Sequence, residues 1–225
     1  MAGKQVMVVG LGQLGMAVIR SLADADVEVL AIDRRAEVVQ QASSYVTEAL
    51  CFDATDEEAL ARTSPAQRDV CICTIGDESR EAAIVVTALL RKLGAPRVIA
   101  RSTDDLLERI LHLVGAHEVV NPERSFGQRL ATRLLYEGIL EVVPLGEELV
   151  ISEIRVPATL AGRTLADLAL PTRFGVTVLA VRRSDIEGRG GIRRPQADTS
   201  LREGDGLIVV AGPGAIESML ERLGT

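Results

Sequence analysis

The first half of the chain repeats one pattern, in which a short apolar run is followed by a longer stretch with a single apolar face. The runs that we predict to be strands are residues 6–9, 27–32, 46–52, 69–75, 97–100 and 118–120. The stretches that we predict to be helices include 36–43, 56–62, 78–93 and 104–113. Strands that alternate with helices of this length indicate an α/β fold with a parallel sheet and right-handed crossovers.

The helix predicted over 78–93 is amphipathic. The apolar positions of its one face are Ala82, Val85, Val86, Leu89 and Leu90. Their spacing is that of residues on one side of an α-helix.

A further helix begins after the sixth predicted strand. Asn121 is a good cap, Pro122 suits the first helical position and Glu123 suits the first turn. The helix is predicted to end near Tyr136, and its apolar stripe consists of Phe126, Leu130, Leu134 and Leu135. Two interpretations stay open: the stripe packs on the chain's own sheet, or it crosses to a partner subunit because the helix lies beyond the last strand.

The pattern changes after Gly138. Residues 139–145 are predicted to form an apolar hinge, which Pro144 interrupts and Gly146 closes. The later elements are predicted as a strand at 149–156, a loop and short helix at 160–168, strands at 176–181 and 207–210, and a helix at 215–223. This order describes a small α+β domain. Residues 182–195 are rich in arginine, which suits a solvated hairpin or a docking surface.

Composition narrows the class of protein. A chain of 225 residues, 47% of them hydrophobic, can form two domains with a sizeable core. The net charge of −7 argues against a general surface for nucleic acid or anionic lipid. No apolar run approaches the roughly 20 residues that span a bilayer, and the first residues lead straight into a strand rather than a signal peptide. We therefore predict a cytoplasmic protein.

The cysteines give no indication of a metal site. The chain has three, which agrees with a reducing compartment. Cys71 and Cys73 stand two apart on a strand that should be buried, and no second pair of ligands exists elsewhere. We predict that both are small buried hydrophobic residues and that the chain binds no metal through them.

The most informative stretch is the glycine turn, Gly10-Leu11-Gly12-Gln13-Leu14-Gly15, which follows the first strand directly. Gly10 would allow a tight turn, Gly12 would let main-chain N–H groups approach a phosphate, and Gly15 would let the following helix pack close to the sheet. The N-terminus of that helix offers unpaired donors and partial positive charge to an anion. The turn therefore predicts binding of a nucleotide phosphate.

The second strand ends at Asp33, roughly 20 residues beyond the glycines, where a ribose-binding carboxylate is expected. This carboxylate would also repel a 2′-phosphate. Arg34 could offset that repulsion or lie over an adenine ring. The structural alternative for Asp33 is a cap of the helix that begins near Arg35.

Ligands of such folds bind outside the carboxyl ends of the strands. The further residues predicted there are Asp53, Ala54, Thr55, Ile75, Gly76 and Arg101. Arg101 is a candidate phosphate ligand, with a solvated arginine at a strand end as the alternative. For Asp53 the alternative is a turn or cap residue.

Several of these segments together resemble the RCK domain, the regulator-of-potassium-conductance module of Trk/Ktr-type potassium uptake subunits. They are residues 10–15, 31–33, 52–56 and 121–123, and residues 203–212 resemble the end of the companion C-terminal module. The resemblance implies a Rossmann-like N-terminal nucleotide-binding domain over 1–120, a crossover and dimerisation helix over 121–138 and a C-terminal RCK domain over 139–225. It also implies a non-enzymatic cytosolic subunit at the membrane, which assembles from dimers into a ring, usually of eight, under a potassium or sodium channel protein. ATP, ADP, NAD or NADH would bind the first domain and change the ring's shape.

Site residues carry over from the resemblance by position. The turn residues Gly10, Leu11, Gly12, Gln13 and Leu14 would hold phosphates, as would Arg101; Asp33 would hold ribose; Arg34, Asp53, Ala54 and Thr55 would lie at the adenosine side. Glu123 is similar to an acidic residue that, in some relatives, lies near the terminal phosphate or a bound cation of the neighbouring subunit. ATP-gated Ktr subunits commonly carry arginine where this chain has Gln13, which favours NAD(H) or ADP here. Some relatives bind cyclic di-AMP between C-terminal domains, and no residue of this chain decides that point.

A different class of function is a small NAD-dependent oxidoreductase. Hydride transfer needs an acid, a base or a substrate-orienting group near the nicotinamide, usually from a second domain. Residues 139–225 contain no histidine and no recognisable Tyr/Lys or Cys/His pair. We therefore favour the regulatory function over the enzymatic one, and over a scaffold in which the glycines are purely structural.

Overall fold

The computed structural model of the chain describes residues 3–25, 27–76, 79–136, 138–146, 148–184 and 191–223. The chain forms two compact units, Met1–Glu123 and Arg124–Thr225. None of the described helices is both long and apolar enough to cross a membrane.

The described part of the first unit contains a six-stranded parallel sheet. Its strands are β1 (Lys4–Val9), β2 (Val27–Asp33), β3 (Glu48–Cys51), β4 (Val70–Cys73), β5 (Val98–Arg101) and β6 (Glu118–Val120). The helices are α1 (Gln13–Ala23), α2 (Ala36–Ala42), α3 (Glu57–Ala61), α4 (Arg80–Lys92) and α5 (Asp105–Leu113), with a 3-10 turn at Pro65–Gln67. The order β3-β2-β1-β4-β5-β6 is the Rossmann arrangement. The predicted parallel α/β fold is confirmed.

The central strand β1 is buried on both faces. Val6 and Val8 pack in the cluster that contains residues of α1 and α2, whereas Met7 and Val9 pack in the cluster under α4. A strand covered on both sides is apolar throughout rather than alternating, which is the pattern seen in the sequence. Between β1 and β4 the strand order reverses, and a crevice for a ligand forms there at the carboxyl ends of the strands.

The predicted apolar face of α4 is only partly a core face. Val86 and Leu90 are buried, together with Ala83 and Thr87. Val85 is 41% exposed and, like Ala82, lines a cleft. The predicted apolar face therefore serves both the core and a cleft, because helical periodicity does not distinguish a side that faces the core from one that faces a cleft.

The two cysteines of β4 are buried, as predicted. Cys71 and Cys73 point to the same side of the strand and belong to the cluster under α4. Burial raises the pKa of the Cys71 thiol to about 12 and that of Cys73 to about 11. Both thiols therefore stay protonated and behave as small hydrophobic groups.

The described part of the second unit is built on an antiparallel sheet in the order β10-β9-β11-β8-β7. Its strands are β7 (Ile139–Leu145), β8 (Leu149–Arg155), β9 (Thr177–Arg182), β10 (Ile192–Arg193) and β11 (Gly206–Ala211). The helices are α7 (Leu165–Leu168), α8 (Leu170–Phe174) and α9 (Ala215–Leu223), with a 3-10 turn at Ala158–Leu160. The helix α6 (Pro122–Leu135) begins at the end of the first unit. The predicted small α+β domain is confirmed.

The segment 139–145 is a strand, so the prediction of a hinge was wrong. It pairs antiparallel with β8, with Ile139 beside Ile154 and Leu145 beside Leu149. Pro144 lies inside the strand although it has no N–H group to donate. β7 is at the edge of the described sheet, where such a donor is not needed.

The arginine-rich stretch 182–195 lies partly outside the described residues, because 185–190 are not among them. Its described part includes β10, which pairs antiparallel with β9 and places Ile192 beside Arg182.

The apolar stripe of α6 is exposed. None of the residues of α6, all of which are described, is buried. Phe126 is 60% exposed, Leu130 41%, and Leu134 and Leu135 75% each. The stripe is therefore not covered by the sheet of the second unit, to which these residues belong.

Candidate functional site

A cleft of about 690 Å³ lies at the carboxyl ends of the parallel strands of the first unit. This volume is within the range of roughly 300–1,000 Å³ that is typical of small-molecule sites. The predicted site residues that line it are Gly10, Gly12, Gln13, Leu14, Asp33, Arg34, Asp53, Ala54, Thr55, Ile75, Gly76, Arg101 and Glu123. Leu11 is the predicted residue that does not line the cleft, because its side chain is buried in the core.

Gly10 makes the sharp turn at the end of β1. Its φ is +95°, a conformation that side chains with a Cβ rarely adopt. Its N–H donates to the carbonyl oxygen of Ile32 at 2.8 Å. A Cβ at this position would also lie 3.0 Å from the main-chain nitrogen of Ile75. Only glycine fits this turn.

The other two glycines have different roles. Gly12 caps α1 without any side-chain hydrogen bond, and a Cβ there would meet no atom within 4 Å. The space over the first N–H groups of α1 is therefore open, and these groups have no acceptor within the helix. A Cβ at Gly15 would overlap the carbonyl oxygen of Gly10, so this glycine permits the close packing of α1 on the turn. The arrangement fits a phosphate at the helix N-terminus.

Asp33 joins the end of β2 to the glycine turn. Its Oδ2 atom accepts a hydrogen bond from the main-chain N–H of Leu11 at 2.7 Å. Asp33 is 8% exposed. The contribution of Leu11 to the site is thus its main chain, which fixes the position of the carboxylate.

The cation that pairs with Asp33 is Arg35, while Arg34 lines the cleft. The carboxylate accepts hydrogen bonds from the Arg35 main-chain N–H at 2.9 Å, from its Nε at 3.1 Å and from its Nη2 at 3.3 Å. Burial alone would raise the pKa of Asp33, but the hydrogen bonds from Arg35 and Leu11 outweigh it and hold the pKa below its ordinary value. The carboxylate is therefore ionised at neutral pH. The residue that caps α2 is Arg35, so Asp33 is not the cap of that helix.

Asp53 forms a tight turn with Thr55. Its Oδ1 accepts from the Thr55 N–H at 3.0 Å and from the Thr55 hydroxyl at 2.7 Å. These hydrogen bonds, with the nearby charge of Arg34, lower the pKa of Asp53. The cap of α3 is the next acidic residue, Asp56. This geometry agrees with the alternative in which Asp53 is a turn residue. The turn nevertheless lines the cleft.

Arg101 is held at the cleft rather than solvated at the end of β5. Its side chain is 17% exposed, and its guanidinium donates to the carboxylate of Glu123. The guanidinium lies against Gly76, where a Cβ would be 2.5 Å from Nη1. The alternative of a solvated strand-end arginine was therefore wrong.

Several residues of the cleft were not predicted from the sequence. Arg35 and Glu81 both line it, as do Ser79 and Val85 of the α4 region. Thr74 does too, and its hydroxyl donates to the carbonyl oxygens of Val9 and Gly10, which ties the end of β4 to the turn. A polar residue at the end of an apolar strand was the only signal available for Thr74.

The lining of the cleft carries charged groups of both signs. The described residues of the cleft include no histidine, cysteine, tyrosine or lysine. Its titratable groups are the carboxylates of Asp33, Asp53, Glu81 and Glu123 and the guanidinium groups of Arg34, Arg35 and Arg101. The described residues also contain no group of three or more His, Cys, Asp or Glu side chains that could hold a metal ion.

Comparison with known proteins identifies both halves of the chain. Residues 6–122 match the TrkA-N domain and residues 149–224 match the TrkA-C domain. The "Ktr system potassium uptake protein A" of Vibrio alginolyticus is 36% identical over 210 residues, which cover 93% of this chain and 93% of that protein. The "Ktr system potassium uptake protein C" of Bacillus subtilis is 30% identical over 220 residues, which cover 98% and 97%.

A solved structure shows the same fold. The "GsuK channel bound to NAD" superposes on 99% of this chain and 40% of that one, with a TM-score of 0.69 and 19% sequence identity. Since both domain models match in order and a relative is similar over nearly its whole length, the chain belongs to the family of RCK regulatory subunits of Ktr and Trk potassium uptake systems.

Proposed function

We propose that this chain senses an adenine nucleotide in the cleft of its first unit and thereby regulates a membrane-embedded potassium channel subunit. The observation that carries the proposal is the hydrogen bond from the Leu11 amide to Asp33. It fixes a ribose-binding carboxylate against a turn whose helix offers open N–H groups to a phosphate. A phosphate and a ribose of one nucleotide can therefore be bound together.

The residues take the following roles in this proposal. Main-chain groups of Gly10, Leu11, Gly12, Gln13 and Leu14 hold the phosphates, together with Ile75, Gly76 and Arg101 at the ends of β4 and β5; Asp33 holds the ribose; Arg34, Asp53, Ala54 and Thr55 surround the adenosine. NAD(H), ADP and ATP all contain the adenosine diphosphate moiety that this arrangement suits. The ligand acts as a regulator and not as a substrate; among the described residues of the lining there is no histidine, tyrosine, lysine or cysteine to assist hydride transfer.

Regulation requires that nucleotides shift a conformational equilibrium of the assembly. Ligands that bind two conformations with different affinity change their populations. We propose that dimers form through the exposed stripe of α6, that they assemble into an octameric ring on the cytoplasmic side of the membrane, and that the ring opens or closes the channel subunit. The two Ktr relatives are named as potassium uptake proteins, which supports a role of this chain in potassium uptake.

Calorimetry tests nucleotide binding directly. The wild-type protein is titrated with NAD⁺, NADH, ADP and ATP, and the same titrations are repeated with Asp33→Asn and with a control, Asp198→Asn. Asp198 is exposed, belongs to the second unit and is not among the residues that line the cleft. We expect Asp33→Asn to weaken binding at least tenfold and the control to leave it unchanged. Equal affinities of wild type and Asp33→Asn would contradict the site.

Potassium uptake tests the regulatory role. The chain is expressed with a Ktr-type membrane subunit in cells that lack their own potassium uptake systems, and growth on limiting potassium is compared for wild type and Asp33→Asn. We expect the wild type to support growth and the variant to support it less. Turnover of hydroxy acids or aldehydes with NAD⁺ by the purified protein would instead favour an oxidoreductase.

A further inference from the structure

The carboxylate of Asp33 is fully engaged by donors of the chain itself. Its Oδ2 atom accepts hydrogen bonds from the Leu11 main-chain N–H at 2.7 Å and from Nη2 of Arg35 at 3.3 Å. Its Oδ1 atom accepts from the Arg35 main-chain N–H at 2.9 Å and from Nε of Arg35 at 3.1 Å. An ionised carboxylate has about four lone-pair sites, so these donors use its whole acceptor capacity. A ribose can therefore bind this carboxylate only if some of the donors leave.

The four donors are not held equally. Two are main-chain N–H groups, that of Leu11 beyond the end of β1 and that of Arg35 at the cap of α2. The other two are on the Arg35 side chain, which is 45% exposed, whereas the side chain of Asp33 is 7% exposed. An arginine with this exposure can release its partner at a small cost, because water replaces the lost hydrogen bonds. The two donors that can leave are thus both on the Arg35 guanidinium.

These two donors match a ribose in number. Asp33 and Arg35 line the same cleft, so the pair faces the space in which a ligand would bind. A ribose of an adenosine diphosphate has two adjacent hydroxyl groups, at its 2′ and 3′ positions, and each can donate one hydrogen bond. If the hydroxyls replace the two side-chain donors, the carboxylate is fully hydrogen-bonded both before and after binding. The cost of a buried charge that lacks donors is then avoided in both states.

We propose that Arg35 is a positioning residue, which holds the Asp33 carboxylate in the ligand-free protein and releases it to the ribose of a bound nucleotide. The main-chain hydrogen bonds from Leu11 and Arg35 keep the carboxylate in place during this exchange. A ligand that lacks one hydroxyl lets the guanidinium keep part of its contact. Arg35 therefore weakens the preference of the cleft for ribose over 2′-deoxyribose. This inference rests on the proposed nucleotide binding and concerns the ribose end of the same cleft.

The ratio of two affinities tests the proposal. ADP and 2′-deoxy-ADP carry the same phosphates, so the loss of the arginine's charge affects both equally and cancels in the ratio of their dissociation constants. Calorimetry measures this ratio for wild type and for Arg35→Met, whose side chain has no hydrogen-bond donor. We expect 2′-deoxy-ADP to bind more weakly than ADP by less than about threefold in the wild type and by at least about tenfold in Arg35→Met. In the variant, the missing hydroxyl leaves the buried carboxylate without a donor.

Two further variants test whether Arg35 acts through Asp33. Arg35→Lys keeps the charge but lacks the planar fork of N–H donors, so we expect an intermediate ratio. In an Asp33→Asn background, Arg35→Met should change the ratio by less than about twofold, because the carboxylate for which the guanidinium and the ribose compete is absent. A merely structural role of Arg35 would change both affinities together and leave the ratio as it is in the wild type.

The same sheet offers a matched control. Arg97 is also half-exposed and paired with a carboxylate, that of Glu118 at 2.7 Å. It is not among the residues that line the cleft. Arg97→Met removes the same charge and breaks the same kind of pair. We expect this variant to keep the wild-type ratio.

The outcomes separate this inference from the proposed function. If the wild type binds both nucleotides and Arg35→Met leaves the ratio unchanged or lowers it, the inference on Arg35 is wrong and the nucleotide site stands. Loss of ADP binding in an Arg35→Met protein with unchanged circular dichroism would make Arg35 itself a ligand of the nucleotide, which also overturns the inference. Should Arg35→Met fail to fold, a wild-type ratio in Arg35→Lys contradicts it. If the wild type binds neither ADP nor NAD⁺, the inference and the proposed function are both wrong.

Discussion

The carboxylate of Asp33 and the main-chain N–H of Leu11 are joined by a 2.7 Å hydrogen bond. Twenty-two residues separate the two along the chain, and the contact joins the ends of β1 and β2, which are neighbouring parallel strands. The same carboxylate holds the Arg35 side chain. One buried charge therefore fixes three parts of the cleft before any ligand binds.

We expect Asp33→Asn to lower the free energy of unfolding by about 1–3 kcal/mol at neutral pH, since hydrogen bonds to a charged, buried group are lost. The pKa of Asp33 is lowered in the folded protein, so its ionised form stabilises the fold above the unfolded pKa of about 3.9, and that contribution is lost as the pH falls through the lower folded value. The difference between wild type and variant should thus be constant from about pH 7 to 5 and shrink below about pH 4. Urea denaturation across this range measures it. A difference that persists unchanged at about pH 3 would contradict the role of the charge.

Alanine substitutions at the three glycines of the turn should affect stability and nucleotide binding differently. Gly12→Ala adds a Cβ into open space at an ordinary φ of −73°, so we expect the free energy of unfolding to change by less than about 0.5 kcal/mol while nucleotide affinity falls at least tenfold. Gly10→Ala must adopt a φ of +95° and Gly15→Ala overlaps the Gly10 carbonyl oxygen, so both should destabilise the protein by more than about 1 kcal/mol. Thermal denaturation and calorimetry on the same samples check this. Full nucleotide affinity in Gly12→Ala would mean that the phosphates bind elsewhere.

The turn and Asp33 could be predicted because they depend on local spacing. A glycine turn after a strand and a carboxylate at the end of the next strand are fixed within about 25 residues of chain. The cation that pairs with Asp33 could not be predicted, since it depends on the direction of the backbone after β2. The side chain that turns back to Asp33 is that of Arg35. The role of Thr74 could not be predicted either. Its hydroxyl donates to the carbonyl oxygen of Gly10, which is 64 residues away along the chain and comes close only because β4 pairs with β1.

The wrong prediction at 139–145 has a different cause. Proline is a strong signal for a break in a strand, but Pro144 belongs to an edge strand. Whether a strand is at an edge depends on the order of the whole sheet, which periodicity along the chain does not contain. The same limit applies to α4, whose apolar face serves both a core and a cleft.

The second unit offers a test of packing at Gly206. On the central strand β11, this glycine lies between Arg155 and Arg182, and Glu153 forms an ion pair with Arg182 beside it at 2.6 Å. A Cβ at Gly206 would be 2.5 Å from Glu153 Oε1. We expect Gly206→Ala to cost about 1–3 kcal/mol, and to cost at most half as much in a Glu153→Ala background, where the opposing atom is absent. Urea denaturation of the four proteins measures this, and an equal cost in both backgrounds would show that Glu153 is not the obstacle.

Thiol reactivity should follow burial. Cys51 is exposed, whereas burial raises the pKa of Cys71 to about 12 and that of Cys73 to about 11. At about pH 8 a thiol-disulfide reagent should therefore modify one thiol per folded chain, since only the thiolate reacts, and all three in denaturant. Cys51→Ser should abolish the reaction of the folded protein. Rapid reaction of that variant while folded would contradict the burial of β4.

Assembly should depend on the exposed stripe of α6. Leu130 and Leu134 are 41% and 75% exposed in the single chain, although a buried leucine contributes about 1.5–3 kcal/mol. If the stripe packs against a second copy, a charge there is buried in the interface, and Leu130→Glu with Leu134→Glu should reduce the particle mass in light scattering. The control is Leu113→Glu, a leucine of α5 that is 85% exposed and should tolerate the charge. Circular dichroism should be unchanged in both proteins. A double variant with the wild-type mass, or a wild type that is monomeric, would contradict assembly through α6.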